Sequence, residues 1–321
     1  MASSAPAIAR IKRDQVQLYF DPNVPPVATI RSGESIIVET EDAHWGSIRS
    51  ADTVYQSLAE VFATLGGANP VTGPIYVDGA RAGDCIAVRI DEIVCAPVQG
   101  QGYTVLTPGL GGLVSNYSLQ PPLGPRTTMV KATDGVAHFP VKGKTVAIPF
   151  APFLGTIGVA PRGEKRLSYF QGADFLGNVD LPLIGPPNTL VLPVHVDGAL
   201  LSLGDAHIAQ GDGEISGAAI ENQADVRLTV TVIPKAEAQY CALPQINGDE
   251  WIGSIAAFGG VHSGDCIRAA YIDVINRMVR FHGFTMEDAY SLICQVGRVR
   301  IGQIVDPLYS AAVTIERRYL E

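Results

Sequence analysis

Between Ala224 and Pro234 the chain alternates. Val226, Leu228, Val230 and Val232 are interleaved with Arg227, Thr229, Thr231 and Ile233. Successive side chains of an extended chain point to opposite faces, so this run predicts a strand with one buried face. Shorter runs repeat the theme. Gln15–Phe20 alternates weakly, and Ser35–Thr40 follows the Ser32-Gly33 turn. Cys85–Cys95 follows the turn at Arg81-Ala82-Gly83-Asp84, and Val136–Val141 pairs with Thr145–Phe150 about Gly143 as a hairpin. The dipeptides Asn69-Pro70 and Gly73-Pro74 impose turns.

Two stretches change period. Val54, Leu58, Val61, Phe62 and Leu65 recur at helical spacing within Ala51–Leu65, with Asp52 placed to cap a short helix. Ile267, Ala270, Tyr271, Val274, Ile275, Met278 and Phe281 set a 3.6-residue rhythm from Asp265 to a stop at Gly283. Thr285 with Asp288 then reads as the start of a second helix running to about Val296, before a strand at Arg300–Val305. Residues 99–135 have no clean period and read as a long irregular excursion. Residues 155–221 are dense in turn residues and acids. These patterns predict a mainly β (α+β) protein in three parts. Residues 1–150 form a β domain with one short helix, 151–240 a β segment, and 241–321 an α+β part packed on the rest.

Composition narrows the function classes. The 321 residues are 47% hydrophobic and 17% charged, with 34 glycines and 22 prolines, which suits short strands and many turns. The net charge of -9 comes with no basic stripe, so a nucleic-acid partner is not expected. The five cysteines are an odd number and none form a C-x-x-C pair, the usage of reduced thiols in a cytoplasmic protein. Met1–Arg10 lacks the pattern of a signal peptide, and no apolar run is long enough to span a membrane. P-loop, dinucleotide-binding and nucleophile-elbow motifs are all absent.

The candidate chemistry concentrates in Gly204-Asp205-Ala206-His207-Ile208-Ala209-Gln210-Gly211-Asp212-Gly213-Glu214. In extended backbone Asp205 and His207 share a face and can reach one ion. Gly211 and Gly213 allow a tight bend that returns Asp212 or Glu214 toward the same point. Imidazole with carboxylates suits Zn²⁺, Fe²⁺ or Mn²⁺. One D-x-H pair supplies too few ligands. The segment Glu39-Thr40-Glu41-Asp42-Ala43-His44-Trp45-Gly46 offers Asp42 or His44 as the third, although an acidic strand end beside Trp45 explains it equally well. In Gly172–Asp180, Asn178 is placed to donate to an amide carbonyl, with an Asx-turn as the plainer reading. His138, His195, His262 and His282 stand alone and read as packing or surface residues.

Several of these segments resemble the acetamidase/formamidase family, in order along nearly the whole chain. They are Asn69–Ala80 with Gly83-Asp84, Gly155–Pro161, Pro193 through Glu214, and Glu287–Cys294 with Arg300-Ile301. The resemblance implies a jelly-roll-like β-sandwich with a smaller β part and a helical α+β part. It implies hydrolysis of a short aliphatic amide to a carboxylate and ammonia, and a homo-oligomer, dimeric or a multiple of that. It also implies a divalent metal, usually Zn²⁺, with room for a second ion such as Ca²⁺. On this reading Asp42 or His44, Asp205 and His207 are metal ligands, Glu214 or else Asp212 moves the proton, and Asn178 helps hold the carbonyl oxygen. Where many members carry His-Gly-Gly before the asparagine, this chain has Asp174-Phe175-Leu176-Gly177, and Arg298 stands where an acid is common. The bulk at Phe175 and Leu176 predicts a reshaped pocket and keeps open a larger amide, a carbamate or a lactam as substrate. The reading from another class is a β-sandwich that binds a metal or ligand without turnover.

Overall fold

The alternating run becomes the strand Ala224–Ile233, its odd and even positions differing in burial as the pattern requires. It pairs antiparallel with Glu34–Thr40 on one side and Cys85–Cys95 on the other. These three begin a nine-stranded sheet that continues through Thr189–Pro193, Gln245–Asn247, Trp251–Phe258, Tyr309–Glu316 and Arg298–Ile301, with Ala9–Ile11 at the opposite edge. The computed structural model describes residues 8–95, 101–113, 123–236, 241–258, 263–306 and 308–321.

A twelve-stranded sheet lies against the first. Its central strand is Leu201–His207, flanked by Phe153–Gly158 on one side and by Val71–Asp78 and Glu221–Asn222 on the other. All seven residues of Leu201–His207 are buried. Between the sheets, Ile36, Val38, Val88, Val226 and Leu228 pack with Ile75, Leu154, Ile157, Leu201 and Leu203 in one continuous apolar core. Removal of this apolar surface from water is the main force holding the sandwich closed.

Among the described residues the α-helices are α1 (Leu58–Leu65), α2 (Ser263–His282) and α3 (Met286–Val296). The helix α2 lies on the strands Trp251–Phe258 and Tyr309–Glu316, burying Cys266, Ala270, Val274 and Met278 in a second core. Thr285 caps α3 as the spacing predicted, accepting from the Asp288 amide. No helix among the described residues is long and apolar enough to cross a membrane.

The architecture is the mainly β sandwich with a helical α+β part that the resemblance implied. Some local expectations change. The helix expected over Ala51–Leu65 starts only at Leu58, capped by the Ser57 hydroxyl rather than Asp52. Residues 99–135 are not one irregular excursion, because Gln101–Leu106 and Arg126–Thr133 pair as strands (114–122 lie outside the described residues). The turn-rich stretch 155–221 holds the central strand of the larger sheet. The breaks at 150 and 240 are not breaks in the hydrogen bonding. Glu34–Thr40 pairs with Ala224–Ile233, and Thr189–Pro193 pairs with Gln245–Asn247, so the three segments interleave.

Candidate active site

At its C-terminal end the strand Leu201–His207 carries the aspartate and the imidazole. Asp205 does not adopt extended backbone but sits at φ 55°, with its amide donating to the Glu41 carbonyl. Even so, its Oδ1 lies 3.3 Å from His207 Nε2. Gln210 fixes the imidazole from behind. Its Nε2 donates to the carbonyls of Asp180 and Gly302, at 2.7 and 3.0 Å, which turns Oε1 toward His207 Nδ1 at 3.0 Å. Gln210 Oε1 therefore keeps a proton on His207 Nδ1, and Nε2 faces the acids.

Around Nε2 the fold gathers acids from distant segments. The Oε2 of Glu221 is 3.4 Å from His207 Nε2. Asp180, Asp205 and His207 present ligand atoms within 4.8 Å of one another, as do His207, Glu214 and Glu221. Glu214 reaches the cluster because the chain bends at Gly213 (φ 92°) and again at Glu214 itself (φ 46°), held by Gly213 N–H contacts to the carbonyls of Ile301 and Gly302. Asp180, Asp205, Glu214, Glu221 and Asp306 all line a cavity of about 300 Å³. Among the described residues lining it, none is Lys or Arg.

Asn178 ties the acids together. Its Nδ2 donates to Asp180 Oδ2 and to Asp306 Oδ2, both at 2.9 Å. Its Oδ1 accepts from Asn69 Nδ2 at 3.0 Å and lies 2.5 Å from the Thr156 hydroxyl. Both amide hydrogens are thus committed to carboxylates, and the carbonyl-holding role expected for Asn178 would require breaking one of these bonds. In this structure it holds Asp180 and Asp306 in place. Asn69, read from sequence as a turn, also donates to Asp205 Oδ2 at 2.8 Å.

The other expected residues lie elsewhere. Asp212 faces away from the cluster and is gripped by the Arg300 guanidinium, with Nε at 2.9 Å and Nη2 at 2.7 Å. Asp42 caps its own turn, its Oδ1 accepting from the amides of His44 and Gly46 and from the Tyr103 hydroxyl. His44 stacks on Tyr55, bonds the Tyr103 hydroxyl at 3.1 Å and lines the cavity. Neither Asp42 nor His44 falls in a group of three close ligand atoms among the described residues. The groups that do form include Asp180 and Glu221, which were not singled out from sequence. The only signal for Asp180 was the i, i+2 spacing of Asn178-Val179-Asp180, the same as in the D-x-H pair. Phe175 and Leu176 do not line the cavity. They are buried, Phe175 against Phe20, Val71 and Phe170. His138 bonds the Thr133 hydroxyl as a surface residue would, and His262 lies outside the described residues.

Burial dominates the titration of this cluster. It pushes Glu221 up to about 7 and Asp306 to about 6, and holds Asp180 and Glu214 well above the usual carboxylate range. Burial opposes charge on His207 as well, but Glu221 and Asp205 overcome it, so the imidazole stays charged well above its ordinary value. The same burial would raise Asp205, yet His207 and the surrounding hydrogen bonds hold it below its ordinary value.

This arrangement fits a cation. Asp180 Oδ1, Asp205 Oδ1 and Glu221 Oε2 are buried with no hydrogen-bond partner. Buried carboxylate oxygens left this way are costly unless a positive charge meets them. Gly155 keeps the space between them open. A Cβ there would stand 2.6 Å from Asp180 Oδ1, 2.7 Å from Asp205 Oδ2 and 2.8 Å from His207 Cε1.

The profile of the acetamidase/formamidase family matches residues 8–169 and 170–316. The chain belongs to that family. It is similar to a solved acetamidase from Yersinia enterocolitica, with 32% identity and a TM-score of 0.88 over 100% of this chain and 95% of the other. An acetamidase structure from Bacillus halodurans is 30% identical, with a TM-score of 0.85 over 97% of this chain and 98% of the other. Among curated relatives, the acetamidase of Mycolicibacterium smegmatis is 26% identical over 255 residues, 61% of this chain and 60% of its own length. The chain spans about three fifths of the length of the curated relatives it matches.

Proposed function

We propose that the protein hydrolyses a linear amide to a carboxylate and ammonia, with a divalent metal held by His207 and the acids around it. The observation that carries this reading is the convergence of Asp205 Oδ1 and Glu221 Oε2 on His207 Nε2, with Asp180 grouped beside them, three buried carboxylate oxygens that accept no hydrogen bond. Names of the similar structures, both acetamidases, support the reaction class.

Asp180, Asp205, His207 and Glu221 would hold the ion. Their mixture of one imidazole with carboxylates favours Zn²⁺, and the surplus of acids leaves charge for a second, oxygen-bound ion such as Ca²⁺. A Zn²⁺ ion there would supply Lewis acidity, polarising the amide carbonyl and easing ionisation of water. Glu214 supplies the proton traffic. No hydrogen bond among the described residues holds its carboxylate, which lines the cavity, and burial raises its proton affinity. It takes a proton from the water that attacks the carbonyl carbon, then delivers it to the amide nitrogen as the C–N bond breaks. An amide nitrogen is a poor leaving group until it is protonated, so this delivery is as necessary as the attack. Gln210 keeps His207 in the tautomer that bares Nε2, and Asn178 fixes Asp180 and Asp306.

The test is ammonia release from acetamide, hexanamide and benzamide by protein freed of metal with a chelator and then reloaded. The expected result is loss on chelation and recovery with Zn²⁺. Undiminished hydrolysis by metal-free protein overturns the metal-dependent mechanism. Tight metal uptake with no turnover of any amide by the loaded protein supports the non-catalytic binding module instead.

A further inference from the structure

The cavity at the acids is larger than an acetamide needs, and part of its wall is apolar. Its volume is about 300 Å³. At roughly 30 Å³ for each water-sized group, that is room for about ten non-hydrogen atoms. Acetamide has four. The acids share the lining with Leu58, Val61, Phe62, Leu110, Tyr169 and Phe170.

That wall is built, not incidental. Leu58, Val61 and Phe62 stand at i, i+3 and i+4 on α1 and so share a face. Val61 anchors the helix in a small core with Tyr55, Tyr103 and Val105. Phe62 meets Tyr169 with ring centroids 5.4 Å apart, and Tyr169 meets Phe170 at 4.9 Å, so the three rings form a continuous surface. Leu58, Phe62, Leu110, Tyr169 and Phe170 are each only partly buried, which leaves apolar surface open to the cavity. A one-carbon acyl group beside the acids would leave that surface wet.

Resting on the hydrolase reading, we propose that the preferred substrate is a neutral primary amide with an apolar acyl group of about six carbons, linear or aromatic, lying on the Phe62–Tyr169–Phe170 wall. Charge excludes an anionic acyl chain, since acids crowd the cavity and no Lys or Arg among the described residues lines it. The unsubstituted NH₂ faces the carboxylates, to which it offers two donors. An alkyl group on that nitrogen would replace one donor and set apolar surface against charge.

The experiment measures kcat/KM of the metal-loaded full chain, by ammonia release, for formamide, acetamide, butyramide, hexanamide and benzamide. The expected result is a rise from acetamide to hexanamide of on the order of fourfold per methylene, with benzamide close to hexanamide. Highest kcat/KM with formamide or acetamide, and poor turnover of benzamide, overturns the assignment while leaving the hydrolase reading standing. No turnover of any amide overturns both. Phe62→Ala and the milder Phe62→Leu provide a second reading. The ratio of hexanamide to acetamide kcat/KM falls about tenfold in the alanine variant and less in the leucine variant, as expected for lost contact in an apolar pocket. An unchanged ratio in both overturns the role of this wall.

Discussion

Asp205 Oδ1 stands 3.3 Å from His207 Nε2 although Asp205 occupies the left-handed region at φ 55°. The i, i+2 spacing brings the two together, but a kinked strand end, not a regular pleat, aims them at each other. Asp205 Oδ2 is held by Asn69 and Thr156, while Oδ1 accepts no hydrogen bond and is turned toward the imidazole. This geometry makes the pair part of a buried acidic nest.

Glu214 and Asp212 are two residues apart and have opposite surroundings, so their amides separate the roles. Glu214→Gln is expected to retain metal and fold but to lose turnover by about 10²- to 10⁴-fold, the usual contribution of a positioned acid-base group. Asp212→Asn removes an exposed pair with Arg300, worth about 1 kcal/mol or less. Its kcat/KM stays near wild type. Equal losses in the two variants would contradict the assignment.

Gly155→Ala tests the opening between the acids. The added methyl would meet Asp180, Asp205 and His207 at 2.6 to 2.8 Å, closer than carbon atoms normally come. The variant is expected to lose metal uptake in elemental analysis while its circular dichroism still reports a β-rich fold. Full metal content in a folded variant would show that the ion does not depend on this opening.

Gln210→Ala removes the group that orients His207. Partners of this kind usually tune metal affinity by about 10- to 100-fold, and that loss is the expected result in a competition titration with a chelator. Stability should fall by about 1–3 kcal/mol as well, because the carbonyls of Asp180 and Gly302 lose their donor. Affinity equal to wild type would mean that the tautomer is held by something else.

The pH dependence of metal-free protein follows from the direction of the buried shifts. Glu221 rises from 4.5 to about 7 and Asp306 from 3.8 to about 6 on folding. Between the two values of each acid the unfolded chain has released a proton that the native state still holds. Stability must therefore fall as pH rises across that window. His207, also raised, has the same sign: its contribution is full below the ordinary histidine value and fades above it. Melting of chelated protein should drop by several degrees between pH 5 and pH 7, and protein loaded with Zn²⁺ should show a much flatter profile. A metal-free Tm that climbs over this range would show that the acids are not buried together.

Much of the fold was legible because its causes are local. The alternation at Ala224–Ile233, the 3.6-residue rhythm ending at Gly283 and the Thr285 cap each lie within a few residues, and each element appears where its pattern ends. The short helix was legible in kind but not in its start. Asp52 and Ser57 are both good caps, and only the packing of Val61 beneath Tyr55 and Tyr103 selects the later one.

The acid cluster has a different origin. Read along the chain, Asp180, Glu221 and Asp306 look like any acids near turns, and Asp42 followed by His44 looks like a ligand pair. Which acids converge on one point and which cap a turn depends on what is packed around them. Asp42 meets two backbone amides and a tyrosine hydroxyl, whereas Asp180, Asp205 and Glu221 each keep one oxygen bare in the interior. By itself the sequence determined the strands, the helices and the string that marks the family, since those depend on neighbours in the chain. The choice of acids around His207, and the aromatic surface that shares their cavity, was made only by tertiary packing, because desolvation and convergence are properties of segments brought together from across the chain.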